Sequence, residues 1–169
     1  MRMREILVYP HPLLRRRAEE VREIDGGVAR LAGEMAGVMY KAPGIGLAAP
    51  QVGELRRLIV ADIGHPEGRP ELIVLVNPVV VESEGALRKE EGCLSLPGVR
   101  AEVERSARVL VRGYDLKERP MEIEAKGLLA VVLQHEIDHL EGRLFIDHLS
   151  RLKRDMIERR LRKRLREGD

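Results

Sequence analysis

The chain has 169 residues, of which 44% are hydrophobic and 34% are charged, and we expect a single domain spanning residues 1–169. The net charge of +2 is too small to indicate wholesale nucleic-acid binding, and we expect no DNA partner. Aromatic residues make up only 2% of the chain, which argues against a stacking platform for single strands. The single cysteine, Cys93, excludes an intramolecular disulfide and a zinc site of four cysteines.

The first residues carry no pattern of a targeting or membrane segment. The apolar run at positions 6–9 ends at Pro10 and is too short for the core of a signal peptide or for a membrane span. We therefore expect a cytoplasmic protein with no membrane partner, made where thiols stay reduced.

Hydrophobic periodicity predicts the first elements of the chain. Val28, Leu31 and Met35 recur at helical spacing and predict an amphipathic helix over about 27–40, which Pro43 and Gly44 end. Short runs typical of strands follow at 58–61, 72–76, 78–81, around Val103, at 109–111 and at 121–125.

Two helices are predicted in the last third of the chain. The first begins near Gly127 and continues to about Leu140, and its first turns are apolar on every side, which is typical of a buried helix. The second extends from about Ser150 to Arg166, and we expect it to dock through the apolar residues Leu152, Met156, Leu161 and Leu165. Strands in the first two thirds followed by helices indicate an α+β domain.

The segment His135-Glu136-Ile137-Asp138-His139 on the buried helix is the sharpest chemical signal. Residues four apart lie on one helical face, so both imidazoles can reach one metal ion. Glu136 lies about 100° further round the helix, beside the ion, where its carboxylate can accept a proton from water. The alternative is a surface patch with two chance histidines, but the apolar turns before the motif favour metal binding.

A catalytic metal site needs a third protein ligand and an open position. Phe145, six residues after the second histidine, cannot bind a metal. Glu158 is available further on, but its arginine neighbours favour a surface salt bridge, and nothing supports His148. Cys93 remains as a thiolate ligand, although a lone cysteine is more often a small buried hydrophobe. Gly92 before it would let the backbone approach the site closely.

Residues 44–51, Gly-Ile-Gly-Leu-Ala-Ala-Pro-Gln, match a variant of the dinucleotide-binding loop. That loop should come after a strand and begin a helix, whereas here a helix precedes it, and Pro50 and the strand-like sequence after it do not begin one. We interpret the segment as extended backbone that exposes polar groups to a ligand. Gln51 either donates an amide N–H to a developing oxyanion or is an ordinary polar residue at the end of a strand.

Three motifs in this order resemble peptide deformylase, in the form common among bacteria: residues 44–51, residues 91–95 (Glu-Gly-Cys-Leu-Ser) and residues 135–139. The spacing and length also fit, so the resemblance covers nearly the whole chain. It implies small mixed or antiparallel β-sheets packed around a central buried helix that carries the last motif, with a basic C-terminal helix. It also implies a hydrolase that removes the formyl group from N-formyl-methionine of new polypeptides and releases formate.

The resemblance further implies roles for single residues. A metal ion, typically Fe2+ with Zn2+, Ni2+ or Co2+ able to replace it, would be held by Cys93, His135 and His139. Glu136 would act as general base and then as general acid. Gln51 and the backbone N–H of Leu94 would stabilise the oxyanion.

Substrate binding is implied for another set of residues, namely Ile45, Gly46, Glu91, Gly92, Arg100, Leu128, Val131 and Val132. Backbone around Ile45 would pair with the formyl-methionyl peptide as an added strand. The methionine side chain would enter an apolar pocket, and Lys89 stands where an apolar residue often closes it. Arg100 would lie beside the peptide chain. Glu91 is expected to pair with Arg105, because a buried carboxylate needs such a partner.

Two other functions fit parts of the sequence. A zinc endoprotease would use Glu158 as its third ligand, and a ribosome- or RNA-binding module would rely on the last helix. Residues 151–166 hold nine basic and two acidic side chains. They form either a solvated helix face or a surface that docks on the ribosome, where formylated chains emerge beside phosphate-rich RNA.

Overall fold

Residues 4–168, which the computed structural model describes, form three α-helices and seven β-strands. The helices are α1 (Gly26–Lys41), α2 (Gly127–Leu140) and α3 (Arg151–Arg166). The strands are β1 (Gly46–Ala48), β2 (Leu58–Ala61), β3 (Ile73–Glu84), β4 (Leu87–Cys93), β5 (Leu96–Arg105), β6 (Arg108–Tyr114) and β7 (Pro120–Lys126). Within these residues, no helix is long and apolar enough to cross a membrane.

The strands form two antiparallel sheets. The larger sheet has the strand order β1-β2-β3-β6-β7, which leaves β1 and β7 at its edges. The smaller sheet is the hairpin of β4 and β5, whose register shifts between Gly92 and Cys93 so that Cys93 pairs with Leu96. Cys93 therefore lies at the closed end of the hairpin.

Helix α2 is buried against the larger sheet. Its residues Leu133 and Leu140 are fully buried in one apolar cluster with Ile59 of β2 and Val111 of β6. Full burial of such a side chain contributes about 1.5–3 kcal/mol, so this cluster fixes the helix firmly on the sheet. A second cluster packs α1 on β1 and β2, and a third joins β5, the turn Phe145–His148 and α3.

The three predicted helices and the α+β class are confirmed, but the strands differ from the prediction in two respects. The runs at 72–76 and 78–81 belong to one strand, β3, which passes through an irregularity at Asn77. Asn77 has a φ of 53°, and its side-chain amide exchanges two 2.9 Å hydrogen bonds with the backbone of Val21, which stabilises the irregularity within the strand. Strand β4 was not predicted, because its charged segment 88–91 shows no apolar alternation.

The predicted docking of α3 through four apolar side chains is also wrong. Leu161 is 4% exposed, but Leu152, Met156 and Leu165 are 72%, 59% and 56% exposed. Leu161 follows Leu152 by nine residues, which at about 100° per residue places the two on opposite faces of the helix. The helix therefore docks through Leu161 and the partly buried Ile157, and its other face remains exposed.

Candidate active site

Three potential metal ligands meet where the hairpin closes over α2. Cys93 ends β4, His135 and His139 lie one turn apart in α2, and their ligand atoms all lie within 4.8 Å of one another. Cys93 Sγ lies 3.4 Å from His139 Nε2. In the range 4–168, no other group of three or more His, Cys, Asp or Glu side chains is brought together in this way. Glu158 is not in the group, so the endoprotease alternative lacks its third ligand.

The chemistry of these donors fits a metal ion. His135 Nδ1 lies 2.9 Å from Glu91 Oε1, which leaves Nε2 as the free nitrogen. Burial lowers the pKa of His139 well below its usual value, so its imidazole is neutral and keeps a lone pair for a cation. For His135, burial opposes protonation, but the negative charge of Glu136 and the hydrogen bonds of the ring with Cys93 and with the Glu91 carboxylate outweigh it and raise the pKa. These charges favour a cation here, and a thiolate with two imidazoles suits a soft or borderline ion.

Glu136 is buried beside these ligands. Burial raises the pKa of its carboxyl to about 7, against the opposing charges of His135 and Arg105. Its Oε1 has no hydrogen-bond partner among the residues described. Such a carboxyl is suited to proton transfer near neutral pH. The backbone of β1 lies against it, since a Cβ added to Gly46 would be 2.4 Å from Glu136 Oε2.

Gln51 is buried in the turn Ala49–Val52, with its amide held in one orientation. Its Oε1 accepts a 2.9 Å hydrogen bond from the Ala48 N–H. Its Nε2 therefore faces Ser95 Oγ at 3.1 Å and Cys93 Sγ at 3.6 Å. An ordinary polar residue at a strand end would be solvated, so this geometry favours the interpretation of Gln51 as a donor into the site. Leu94 lies in the turn after Cys93.

A buried ion pair between Glu91 and Arg105 contacts His135 at Nδ1, on the side of the ring away from the free nitrogen Nε2. Arg105 donates two 2.9 Å hydrogen bonds to Glu91, which confirms the expected pairing of these residues. Burial opposes ionisation of Glu91, but Arg105 and His135 outweigh it and lower the pKa of Glu91 to about 2. Glu91 is therefore a carboxylate at physiological pH, which fixes the orientation of the His135 ring.

The outer partners of this network were not predicted from the sequence. Arg105 also donates to Asp138 Oδ2 at 2.6 Å, and the same oxygen lies 2.8 Å from His148 Nε2. His148 thus supports the ion pair and is not a ligand. Phe145 stacks on His135, with ring centroids 6.1 Å apart. Ser95 was also missed, although it belongs to the motif at 91–95. Only the folded chain brings these partners together.

A cavity of about 580 Å³ opens over Cys93, His135 and Glu136, and the more deeply buried His139 is not part of its lining. All eight residues predicted to bind the substrate line it: Ile45, Gly46, Glu91, Gly92, Arg100, Leu128, Val131 and Val132. Val131 and Val132 are buried, whereas Ile45 and Leu128 are exposed. Lys89 also lines the cavity, and so does the segment 97–99, which was not predicted.

Gly92 and Arg100 lie opposite each other in the hairpin, and both line the cavity. A Cβ on Gly92 would lie 2.9 Å from Arg100 Nη1. This atom is the far end of a flexible side chain and can move, so the close approach requires glycine at position 92 only weakly. Arg100 itself is held at the surface by a 2.6 Å hydrogen bond from its Nε to Glu90.

A larger cavity, of about 1260 Å³, is lined by residues 17–23, Pro78 and Tyr114 but contains none of the candidate ligands. The chemistry therefore belongs to the smaller cavity.

Comparison with known proteins gives a consistent result. Residues 3–155 match the family model described as polypeptide deformylase. The peptide deformylase of Alkalilimnicola ehrlichii is 50% identical over 168 residues, which cover 99% of this chain and 94% of the relative. That of Syntrophobacter fumaroxidans is 50% identical over 168 residues and covers 99% of both chains.

Solved structures agree with these relatives. The crystal structure of a peptide deformylase from Legionella pneumophila aligns with a TM-score of 0.90 at 46% identity, covering 99% of this chain and 98% of that one. The peptide deformylase from Ehrlichia chaffeensis aligns with a TM-score of 0.92 at 33% identity and covers 99% of both chains. The fold and the length of the chain are thus shared with these proteins, and the chain belongs to the peptide deformylase family.

Proposed function

We propose that the site formed by Cys93, His135, His139 and Glu136 performs the deformylase reaction of this chain. The chain is a hydrolase that removes the N-formyl group from N-formyl-methionine of newly synthesised polypeptides and releases formate. The supporting observation is that three ligand atoms lie within 4.8 Å of one another, next to a cavity lined by Cys93, His135 and Glu136.

The thiolate of Cys93 and the imidazoles of His135 and His139 would hold one divalent ion and leave a position open. When bound, such an ion supplies Lewis-acid chemistry, because it polarises a formamide carbonyl and makes water a better nucleophile at neutral pH. The negative charge of the thiolate lowers the net charge of the site relative to three neutral histidines. Because its sulfur is a soft donor, the thiolate also favours a soft or borderline ion such as Fe2+ or Zn2+.

The protein's own groups would move the protons and hold the developing charge. Glu136 accepts a proton from the attacking water and passes it to the leaving amine nitrogen. Gln51 Nε2 and the backbone N–H of Leu94 donate hydrogen bonds to the formyl oxygen as it becomes negative. The orientation of the Gln51 amide by Ala48 prepares this donor before the substrate binds.

The cavity provides a place for the rest of the substrate. Among the strands of residues 4–168, β1 pairs only with β2, so its other edge is available for an added peptide strand at Ile45 and Gly46. Leu128, Val131 and Val132 would contact the methionine side chain. Glu91 and Gly92 would form the opposite wall, and Arg100 would lie beside the peptide backbone.

A direct test of this function is formate release from formyl-Met-Ala under anaerobic conditions, with the bound metal quantified in the same sample. Acetyl-Met-Ala is the matched control, because it differs by one methyl group at the scissile carbonyl. We expect formate from the first peptide and little acetate from the second. Absence of formate from a metal-loaded sample would contradict the proposed function.

We propose Fe2+ as the native ion, and its identity predicts sensitivity to air. Activity of the Fe2+ form should decay in oxygen, because the open position admits O2 and the Cys93 thiolate is oxidisable. Substitution with Ni2+ should protect the activity, since Ni2+ is not readily oxidised. The measurement is the half-life of formate release for each form in air and under argon. Equal half-lives of the two forms in air would count against this prediction.

We propose that the exposed face of α3 docks on ribosomal RNA. Its support is the excess of nine basic over two acidic side chains and the exposure of most of the helix surface. Truncation after Ser150 would also remove the buried Leu161, so charge substitution is the cleaner test. The exposed residues Arg159, Arg160 and Arg162 can be replaced together by alanine without touching Leu161.

The triple alanine variant should bind ribosomes more weakly and with less dependence on salt. Each phosphate contact that is lost reduces the slope of log affinity against log salt by about 0.7–0.9. Cleavage of formyl-Met-Ala should remain at the parent rate, because these side chains are not in the cavity. Co-sedimentation with ribosomes at two salt concentrations measures the effect. Unchanged binding at both concentrations would refute the docking role.

A further inference from the structure

The C-terminal helix contacts the wall of the substrate cavity through one arginine. Arg164 Nη1 donates a 2.8 Å hydrogen bond to the backbone oxygen of Pro97. Pro97, Gly98 and Val99 of β5 line the cavity that contains Glu136 and Cys93. A side chain of α3 thus holds backbone against which a substrate in this cavity would lie.

Gly98 has two features that fit this contact. Its φ of +75° lies in the left-handed region, which favours glycine. A Cβ at this position would lie 1.7 Å from Arg164 Nη1 and 2.6 Å from Cζ. The guanidinium therefore occupies the space of the missing side chain, and any other residue at 98 would both strain the backbone and displace Arg164.

Arg164 differs from most basic residues of its helix. It follows the buried Leu161 by three residues, so it lies on the face of α3 that docks on the domain. Its side chain is partly buried, whereas Arg162 and Arg166 are exposed. A solvated charge explains Arg162 and Arg166, but it does not explain a hydrogen bond to the cavity wall.

We propose that Arg164 is a positioning residue for the substrate, because it holds the Pro97–Val99 backbone in the conformation that forms the cavity wall. The proposal rests on the proposed function, which assigns the cavity to the formyl-methionyl peptide. Without the guanidinium, the Pro97 oxygen loses its partner and Gly98 gains other conformations. Substrate binding must then restore the wall, which weakens binding, while Glu136 and the three ligands stay in place.

The test is the steady-state kinetics of formate release from formyl-Met-Ala-Ser for three variants of the full, metal-loaded chain. Arg164→Ala should raise KM about three- to tenfold, the factor that corresponds to one hydrogen bond, and change kcat less than about twofold. Arg164→Lys should recover part of the loss, because an ammonium can also donate to Pro97. Arg162→Ala is the matched control, with the same loss of charge on the same helix, and should resemble the parent.

Hydrogen exchange gives a second readout on the same proteins. The amides of Gly98 and Val99 should exchange faster in Arg164→Ala than in the parent and in Arg162→Ala, whereas Pro97 has no amide hydrogen to exchange. The proposal is overturned if Arg164→Ala shows the KM and the exchange of Arg162→Ala, or if its kcat falls while KM is unchanged. A parent chain that releases no formate would instead remove the proposed function. An active parent with an unaltered Arg164→Ala variant removes only the role of Arg164.

Discussion

The Cys93→Ala variant is expected to lose its metal ion and, with it, formate release. The remaining ligands, His135 and His139, hold an ion too weakly to keep it through purification, because a catalytic site needs three protein ligands. Mutation of outer partners of metal ligands already costs about 10- to 100-fold in metal affinity or activity. Loss of a ligand should therefore weaken binding by more than about a hundredfold.

Metal content and formate release of the purified variant measure this effect together. Ser95→Ala is the matched control, because Ser95 lies two residues further on and contacts Gln51 but supplies no ligand. It should retain one metal equivalent per chain. If Cys93→Ala also binds one equivalent as tightly as the parent, Cys93 is not the third ligand.

The Glu136→Gln variant should keep its metal but lose nearly all turnover. Glutamine fills the same buried space beside Gly46, but it cannot accept a proton from water or return one to the amine. Proton transfer by a positioned side chain contributes about a hundred- to ten-thousandfold to a rate, so kcat should fall by that factor. The burial that raises the pKa of Glu136 to about 7 favours this role over one as a permanent charge.

Single-turnover formate release at a verified metal content of one per chain measures the loss. Glu158→Gln is the control, because this residue was the alternative ligand and lies outside the cluster. It should leave the rate unchanged. Near-normal release by a metal-loaded Glu136→Gln variant would exclude Glu136 as the general base.

Helix α2 and its motif could be predicted from the sequence because their signals are local. Four-residue spacing places His135 and His139 on one face wherever a helix forms, and the apolar segment 128–133 indicates a buried helix, of which residues 130–133 are buried and Leu128 is exposed at the cavity. Cys93 was predicted as the third ligand by elimination of Phe145, Glu158 and His148, and then through the family resemblance, because nothing local to residues 91–95 shows that the hairpin closes over α2. Taken by itself, Cys93 was more readily interpreted as a small buried hydrophobe.

The features that could not be predicted depend on contacts between distant segments. Strand β4 has a charged sequence because one of its faces is solvated and the other holds Glu91 against Arg105. The role of Asp138 as a partner of Arg105 could not be predicted, because only the folded β5 brings Arg105 to it. Periodicity identified the apolar residues of α3 but not which of its faces meets the domain, so Leu152 and Met156 were wrongly expected to dock.

The central claim is that one ion, held by Cys93, His135 and His139, is needed for deformylation by this chain. Its most direct test is an anaerobic titration of the metal-free protein with Fe2+, with the rate of formate release from formyl-Met-Ala measured at each addition. We predict that the rate rises linearly and stops rising at one equivalent of Fe2+ per chain. Formate release by the metal-free protein, or a rate that does not respond to the added ion, would contradict this claim.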